Sequence, residues 1–146
     1  MPDTMPEPND FICFAVYSTG HAFNRVYKPL LEALDLTYPQ YLVMVALWAR
    51  DDQTVGSLGE TLLLESSTLT PLLKRLEKEG FVTRSRDPAD ERHVRVRLTE
   101  KGAALQEKAR DYPACVDAAT GLAPDALRAL RTSILSVRSA LLKAAG

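Results

Sequence analysis

Cys13 carries the first of the two thiols in the sequence. Asn9 or Asp10 is expected to cap the first helix, which puts Cys13 in its first turn. Unpaired amides and the helix dipole favour the thiolate there, and the thiolate is the nucleophilic form of cysteine. Tyr17 follows four residues later on the same face, so its phenol is able to donate a hydrogen bond to the sulfur. A lone cysteine among apolar residues is more often an inert core side chain, so that interpretation stays open.

A second set of residues has side chains of the types that proteins use to contact DNA. Hydroxyl and basic side chains lie together on one expected helix: Ser66, Ser67, Thr68, Thr70, Lys74 and Arg75. Short polar side chains at a helix N-terminus suit the major groove, and the helix amides favour phosphate. A simple capping motif would give the same serines and threonines, so this pattern alone leaves both interpretations open.

An arginine-rich segment follows that helix. Five arginines occur within fourteen positions: Arg84, Arg86, Arg92, Arg95 and Arg97. Arg92 falls at the expected tip of a hairpin, where it could enter a minor groove, and Asp90 is placed to orient it through a charge-assisted hydrogen bond. The alternative is a solvated β-ribbon with no ligand.

Composition narrows the class of protein. The chain has 146 residues, of which 46% are hydrophobic, and these values predict one globular domain rather than a disordered chain. The net charge is −1, yet residues 66–97 carry eight Lys or Arg against five Asp or Glu, a local basic stripe. We expect no membrane span, no secretory signal and a cytoplasmic location. Two distant cysteines and two distant histidines, His21 and His93, predict neither a disulfide scaffold nor a metal site, and we expect no cofactor.

The periodicity predicts the elements that position these residues. Apolar spacing predicts helices over 9–34, 37–50, 57–64, 66–79, 99–111 and 124–144. After Gly80 the period changes to two, which predicts a β-hairpin whose strands flank a polar loop at 87–92. We therefore predict a mainly α fold with a small β-wing (α+β), a winged helix-turn-helix that dimerises through its terminal helices. In this interpretation 1–146 is one domain, 36–99 is the DNA-binding lobe, and 9–35 and 100–146 are dimerisation helices.

The sequence also resembles a known family. SSTLTPLLKRLEKEG (66–80) followed by DPADERHVRVRLTEKG (87–102) resembles the MarR family of dimeric winged-helix repressors. FICFAVY (11–17) and YKPLLEALDLTYPQYLVMVALW (27–48) are similar to its OhrR branch, the regulators that sense organic hydroperoxides. The likeness extends from about Phe11 to Cys115.

The resemblance implies roles for individual residues. Cys13 matches the reactive cysteine, and Tyr17, Tyr27 and Tyr38 match tyrosines that support its thiolate, the latter two from the other subunit. Cys115 matches the resolving cysteine of the two-cysteine members. The implied function is a homodimeric repressor that leaves double-stranded operator DNA when an organic hydroperoxide oxidises Cys13.

Three other functions are compatible with parts of the sequence. The first is a repressor of the same fold released by a small phenolic or lipophilic ligand, with Cys13 uninvolved. The second is a thiol peroxidase, which the absence of CxxC and of a thioredoxin-like pattern disfavours, so we expect no enzyme. The third, a helical adaptor, leaves the arginine-rich hairpin unexplained.

Overall fold

The computed structural model describes residues 4–146 and divides into two compact units. The first unit ends at Arg110, and the second runs from Asp111 to Gly146. Residues 1–3 of the predicted domain 1–146 lie outside the described residues. The division into one domain with a lobe at 36–99 and dimerisation helices on either side stays a prediction.

The described part of the first unit begins with a 3-10 turn, Pro8–Asp10. Its other elements, in chain order, are α1 (Ile12–Leu34), α2 (Tyr38–Ala49), β1 (Gln53–Thr54), α3 (Val55–Leu62), α4 (Ser66–Lys78), β2 (Val82–Asp87), β3 (Asp90–Leu98) and α5 (Glu100–Ala109). The predicted class is confirmed, because helices α2 to α4 are followed directly by an antiparallel β-hairpin. We call that hairpin, residues 82–98, the wing.

The second unit contains α6 (Tyr112–Ala119) and α7 (Pro124–Ala144). Val116 is buried in α6, whereas none of the residues of α7 is buried. Among the described residues, no helix is long and apolar enough to cross a membrane.

The core of the first unit holds α4 in place. Its largest fully buried side chains come from α2, α3 and α4: Met44, Leu47, Leu58, Leu69, Leu73 and Leu76. The predicted apolar face of α4 is confirmed, since Leu69, Leu72, Leu73 and Leu76 are all buried. Burial of one such face leaves the opposite face of α4 for solvent or a ligand.

The wing is the larger part of a three-stranded sheet with the order β1-β3-β2. In the antiparallel β2–β3 pair, Arg84 faces Val96 and Ser85 faces Arg95. Alternation therefore puts Val96 in the core while Arg95 and Arg97 lie on the other surface of the sheet.

Two predicted helix starts were wrong. Asp10 does not cap α1, because its carboxylate accepts a hydrogen bond from the Glu7 amide (2.8 Å) within the 3-10 turn, and Phe11 precedes α1 without a side-chain cap. Ser57 does not begin α3, because Thr54 caps that helix by accepting from the Ser57 amide at 3.0 Å. Thr37 and Thr99 cap α2 and α5 as predicted.

The wing tip is also tighter than predicted. The polar loop expected at 87–92 is a turn at 88–89, since Asp87 and Asp90 already face each other across the strands. The Asp87 carboxylate accepts from the amide of Ala89 (2.9 Å), which stabilises a turn of this length. The two-residue strand β1 was not predicted, because it is too short to show a period.

Candidate DNA-binding surface and thiol sites

The outer face of α4 presents most of the predicted DNA-reading side chains. Ser66, Ser67, Thr68 and Lys74 are exposed, and Thr70 is half-buried. The helix starts after Glu65, whose carbonyl accepts from the amides of Thr68 (3.0 Å) and Leu69 (2.9 Å). The amides of Ser66 and Ser67 precede these bonds and lie at the N-terminus of the helix. Such a start combines hydroxyls, free amides and the positive end of the helix dipole, as phosphate or base-edge recognition requires.

Arg75 lies in a different environment from the rest of this set. It lines an open cavity of about 390 Å³ with Lys78 and with acidic residues near the α1–α2 corner, including Glu32 and Asp35. The mixed charge of this cavity distinguishes Arg75 from Lys74, and its role in DNA binding stays a prediction.

Four of the five wing arginines are paired with carboxylates, and three of them, Arg84, Arg95 and Arg97, contact a carboxylate from outside the wing. Arg84 contacts Glu77 on α4 at 3.1 Å. Arg95 contacts both Asp52 (2.8 Å) and Asp87 (3.0 Å), and Arg97 shares Asp52 at 3.2 Å. The pairs with Glu77 and Asp52 connect the wing to α4 and to the segment before β1, so they serve the fold. Sequence reasoning missed these two carboxylates because they come from segments outside the wing.

The same ion pairs lower the pKa of the carboxylic acids that form them. Hydrogen bonds from Arg95 hold the pKa of Asp52 below its usual range. Hydrogen bonds from the side chain and amide of Arg84 lower the pKa of Glu77. The Ala89 amide, followed by Arg95, lowers the pKa of Asp87. All three carboxylates are therefore ionised at neutral pH, and the arginines that they hold are compensated.

Arg86 and Arg92 carry the charge that the wing presents to solvent. The Arg86 guanidinium donates to the carbonyl of Glu91 (2.8 Å), a neutral acceptor. Arg92 is the most exposed ion-paired arginine of the wing, with 87% of its side chain accessible, and its guanidinium donates to Asp90 at 2.9 and 3.0 Å. These bonds lower the pKa of Asp90 and raise that of Arg92. The ion pair predicted between Asp90 and Arg92 is present, and its action on DNA stays a prediction.

Cys13 is the second residue of α1 and is exposed as a free thiol. Its amide precedes the first helical hydrogen bond, from Ala15 to Phe11 (3.1 Å), so the sulfur lies by the open N-terminus of the helix. Tyr17 is on the same face one turn later, and its ring packs edge-to-face on His21 with centroids 4.6 Å apart. The sulfur is accessible to a small molecule and is surrounded in sequence by exposed apolar residues.

Tyr27 and Tyr38, predicted to act together, do lie together. Their ring centroids are 4.9 Å apart, and Tyr41 contacts both rings at 5.7 and 6.3 Å. Burial raises the pKa of Tyr38, so its phenol keeps its proton, and hence its ability to donate a hydrogen bond, at neutral pH. We call Tyr27, Tyr38 and Tyr41 the tyrosine cluster. Tyr41 was not predicted to support the thiolate, although its spacing of three from Tyr38 is a helical signal.

Cys115 belongs to the second unit. It lies in α6, is exposed as a free thiol, and its amide donates to the carbonyl of Asp111 at 3.0 Å. It thus sits on a regular helical turn with its sulfur open to reagents.

Two helices expose long apolar faces. In α1 the exposed large apolar residues are Ile12, Phe14, Val16, Tyr17 and Phe23, and in α7 they are Leu130, Ile134, Leu135, Val137, Leu141 and Leu142. Contiguous exposed apolar surface of this kind marks an interaction site.

Comparison with known proteins identifies the class. The family described as "Transcriptional regulator SarA/Rot" matches residues 25–109. The chain is 48% identical to the HTH-type transcriptional regulator TtmR of Methylorubrum extorquens over 92% of this chain and 69% of that one. It is 42% identical to the organic hydroperoxide resistance transcriptional regulator of Bacillus subtilis over 89% and 88% of the two chains.

A solved structure agrees with these relatives. AbfR of Staphylococcus epidermidis superposes with a TM-score of 0.78 at 34% identity, covering 90% of this chain and 91% of that one. AbfR has also been solved in a reduced form bound to DNA. The helix–wing surface and these relatives define a DNA-binding transcriptional regulator. The chain belongs to the winged-helix transcriptional regulators of the SarA/Rot and MarR type, and the B. subtilis organic hydroperoxide regulator is its homologue.

Proposed function

We propose that this regulator is a repressor that releases its operator when an organic hydroperoxide oxidises Cys13. The observation that carries the proposal is the exposed Cys13 thiol at the N-terminus of α1, among exposed apolar side chains. Apolar side chains beside the thiol favour alkyl or aryl hydroperoxides over hydrated H₂O₂. The relationship to the B. subtilis regulator supports the same effector class.

The chemistry is a two-electron oxidation of the thiols. The Cys13 thiolate attacks the terminal oxygen of ROOH, an S–O bond forms as the O–O bond breaks, and the leaving alkoxide takes up a proton to become ROH. The sulfur is then a sulfenic acid. The Cys115 thiolate attacks that sulfur, forming an S–S bond while the oxygen leaves as water. Overall, two thiols and ROOH give a disulfide, ROH and H₂O.

The tyrosines would support the thiolate and connect it to the fold. Tyr17 lies one turn from Cys13 on its helix face, and the protonated phenol of Tyr38 in the tyrosine cluster is a hydrogen-bond donor. In the dimer that we propose, Tyr27 and Tyr38 of one protomer reach Cys13 of the other. Disulfide formation would withdraw the sulfur from these donors and so shift the winged lobes.

The homodimer is part of the proposal. The exposed apolar faces of α1 and α7, with Ile12 at 73% and Leu141 at 63% accessibility, suit burial against a second copy. Two copies would offer two α4 helices to two half-sites one helical turn apart. Ser66, Ser67, Thr68 and Thr70 would read the major groove, Lys74, Arg75 and Arg86 would bind phosphate, and Arg92, held by Asp90, would enter the minor groove.

The test is operator binding measured in reduced, oxidised and re-reduced protein at fixed salt, on a duplex selected from a random pool by the reduced protein. Cumene hydroperoxide should release the wild type, and a thiol reductant should restore binding. Cys13→Ser should stay bound, and Cys115→Ser, its matched control, should still lose Cys13 thiol but form no disulfide. Release of Cys13→Ser by the hydroperoxide would refute the proposed sensor and leave a ligand-released repressor.

A further inference from the structure

One face of α2 carries an aromatic stripe that extends away from the tyrosine cluster. Tyr38, Tyr41 and Trp48 are spaced three and seven residues apart, which puts them on one side of the helix. Tyr41 is almost fully buried and packs edge-to-face against Trp48, with ring centroids 6.2 Å apart. The stripe therefore continues from the tyrosine cluster to the C-terminal end of α2.

Trp48 connects this stripe to α5. Its indole N–H donates to the carbonyl of Gly102 at 2.9 Å, across 54 positions of sequence. Gly102 is itself in backbone contact with the segment between α4 and β2, because a Cβ at this position would lie 2.0 Å from the Phe81 carbonyl oxygen. Trp48 thus binds α5 at the point where α5 touches residue 81.

The segment after α4 is fixed to the start of α5 by several further bonds. The Thr99 hydroxyl donates to the carbonyl of Gly80 (2.6 Å), and the Thr99 amide donates to that of Phe81 (3.1 Å). Lys101 donates to the carbonyl of Glu79 (2.7 Å) and lies over the Phe81 ring. We call residues 79–81 and 99–102 the junction, which joins the end of α4, the base of the wing and the first turn of α5.

We propose that Trp48 is the positioning residue through which a displacement of the tyrosine cluster reaches the junction and so changes the placement of α4. This inference rests on the function proposed above, since it supplies the route from thiol oxidation to DNA release. The route consists of ring contacts within α2, one indole hydrogen bond and a backbone-to-backbone contact.

The geometry favours transmission of a displacement from α2 to the junction over its relaxation by local side-chain rotation. A side-chain contact can relax by rotamer change, whereas the Gly102–Phe81 contact joins two backbones with no side chain between them. Packed elements of this kind move as units between discrete arrangements. Replacing Trp48 with phenylalanine removes the indole N–H that bonds to Gly102 and leaves an aromatic ring in place, which makes the path testable.

The experiment compares the wild type, Trp48→Phe and the matched control Ala49→Ser, an exposed neighbour on the same helix. Each protein is measured reduced and after cumene hydroperoxide, with operator affinity and loss of the Cys13 thiol followed in parallel. We expect Trp48→Phe to bind DNA within twofold of the wild type when reduced and to lose its Cys13 thiol at the wild-type rate. Its ratio of oxidised to reduced Kd should fall by about three- to tenfold, the effect of one hydrogen bond.

The outcomes separate the two proposals. If oxidised Trp48→Phe leaves DNA as completely as the wild type, the role of Trp48 is wrong while the hydroperoxide function stands. If oxidised wild type keeps its operator, the function is wrong and the inference falls with it. Oxidised Ala49→Ser should leave DNA to the same extent as the oxidised wild type. If its ratio of oxidised to reduced Kd fell as much as that of Trp48→Phe, the specific role of Trp48 would be overturned.

A second measurement does not depend on a variant. Trp48 is the only tryptophan of the chain, so its fluorescence reports on this position alone. Oxidation of the wild type should shift its emission, because the contacts with Tyr41 and the Gly102 carbonyl change. Unchanged emission in protein that has lost its Cys13 thiol and released DNA would overturn the inference.

Discussion

Replacing Gly102 with alanine should destabilise the protein strongly, for a reason confined to one contact. The added Cβ would lie 2.0 Å from the oxygen and 3.0 Å from the carbon of the Phe81 carbonyl, and neither is a side-chain atom able to swing away. The two backbones must therefore separate by more than about 1 Å to reach ordinary contact distances.

The separation would break bonds that the structure shows. The hydrogen bonds from Trp48 to Gly102 (2.9 Å) and from the Thr99 amide to Phe81 (3.1 Å) are the nearest to this contact. Two hydrogen bonds at about 1 kcal/mol each and overpacking of at least about 1 kcal/mol give roughly 3 kcal/mol. For a chain of this length that lowers Tm by about 6–12 °C.

Thermal unfolding followed by circular dichroism measures this effect, with Gly56→Ala as the control. Gly56 lies in α3, and a Cβ there would meet only the Thr54 hydroxyl at 3.9 Å, an ordinary contact. Since alanine favours helix by up to about 1 kcal/mol over glycine, the Tm of Gly56→Ala should equal or exceed that of the wild type. A Tm for Gly102→Ala within 2 °C of the wild type, roughly a 1 kcal/mol effect or less, would refute the reasoning.

Three further predictions follow from the site. First, a dimer with the four proposed DNA-contacting cations per protomer, Lys74, Arg75, Arg86 and Arg92, should show a slope of log K against log salt of about −7. Arg92→Gln should make it shallower by about two units, whereas Arg95→Gln should leave it nearly unchanged. An equal change in both would contradict the distinction between Arg92, which the wing exposes to solvent, and Arg95, which Asp52 and Asp87 hold. Second, because the folded-state pKa of Asp52 lies below its unfolded value, its stabilising effect is present above about pH 4 and is lost as pH falls through the lowered pKa. Asp52→Asn should accordingly flatten the acid limb of a urea-unfolding series, and an unchanged limb would count against this assignment. Third, Thr37→Ala removes the α2 cap and should cost about 1 kcal/mol in urea unfolding, with Thr83→Ala on the exposed surface of β2 as a near-neutral control.

The α4–wing surface was the easiest part to predict, because its signals are local. The spacing of Leu69, Leu72, Leu73 and Leu76 defines one helical face, and alternation around Val96 defines a strand. Gly80 adopts a positive φ of 82° just after α4, as a helix-ending glycine should. Each of these features depends on neighbours within a few residues.

What the sequence could not provide are contacts between distant segments. Asp52 neutralises Arg95 across 43 positions, so five arginines in the wing predicted more free positive charge than the folded protein has. The bond from Trp48 to Gly102 spans a similar distance. The α1 start was misplaced because Asp10 satisfies a preceding turn, a competition that residue propensity does not resolve.

The two sides of α4 bear on how this regulator can change its target. Its inward leucines and the bonds at Glu79 and Gly80 hold the helix, whereas Ser66, Ser67 and Lys74 take no part in that support. Surface substitutions away from such supports usually alter folding free energy by less than about 0.5 kcal/mol. Under the proposed function, in which these outward positions read the operator, substitutions there would change promoter preference while the thermal tolerance of the protein stays the same.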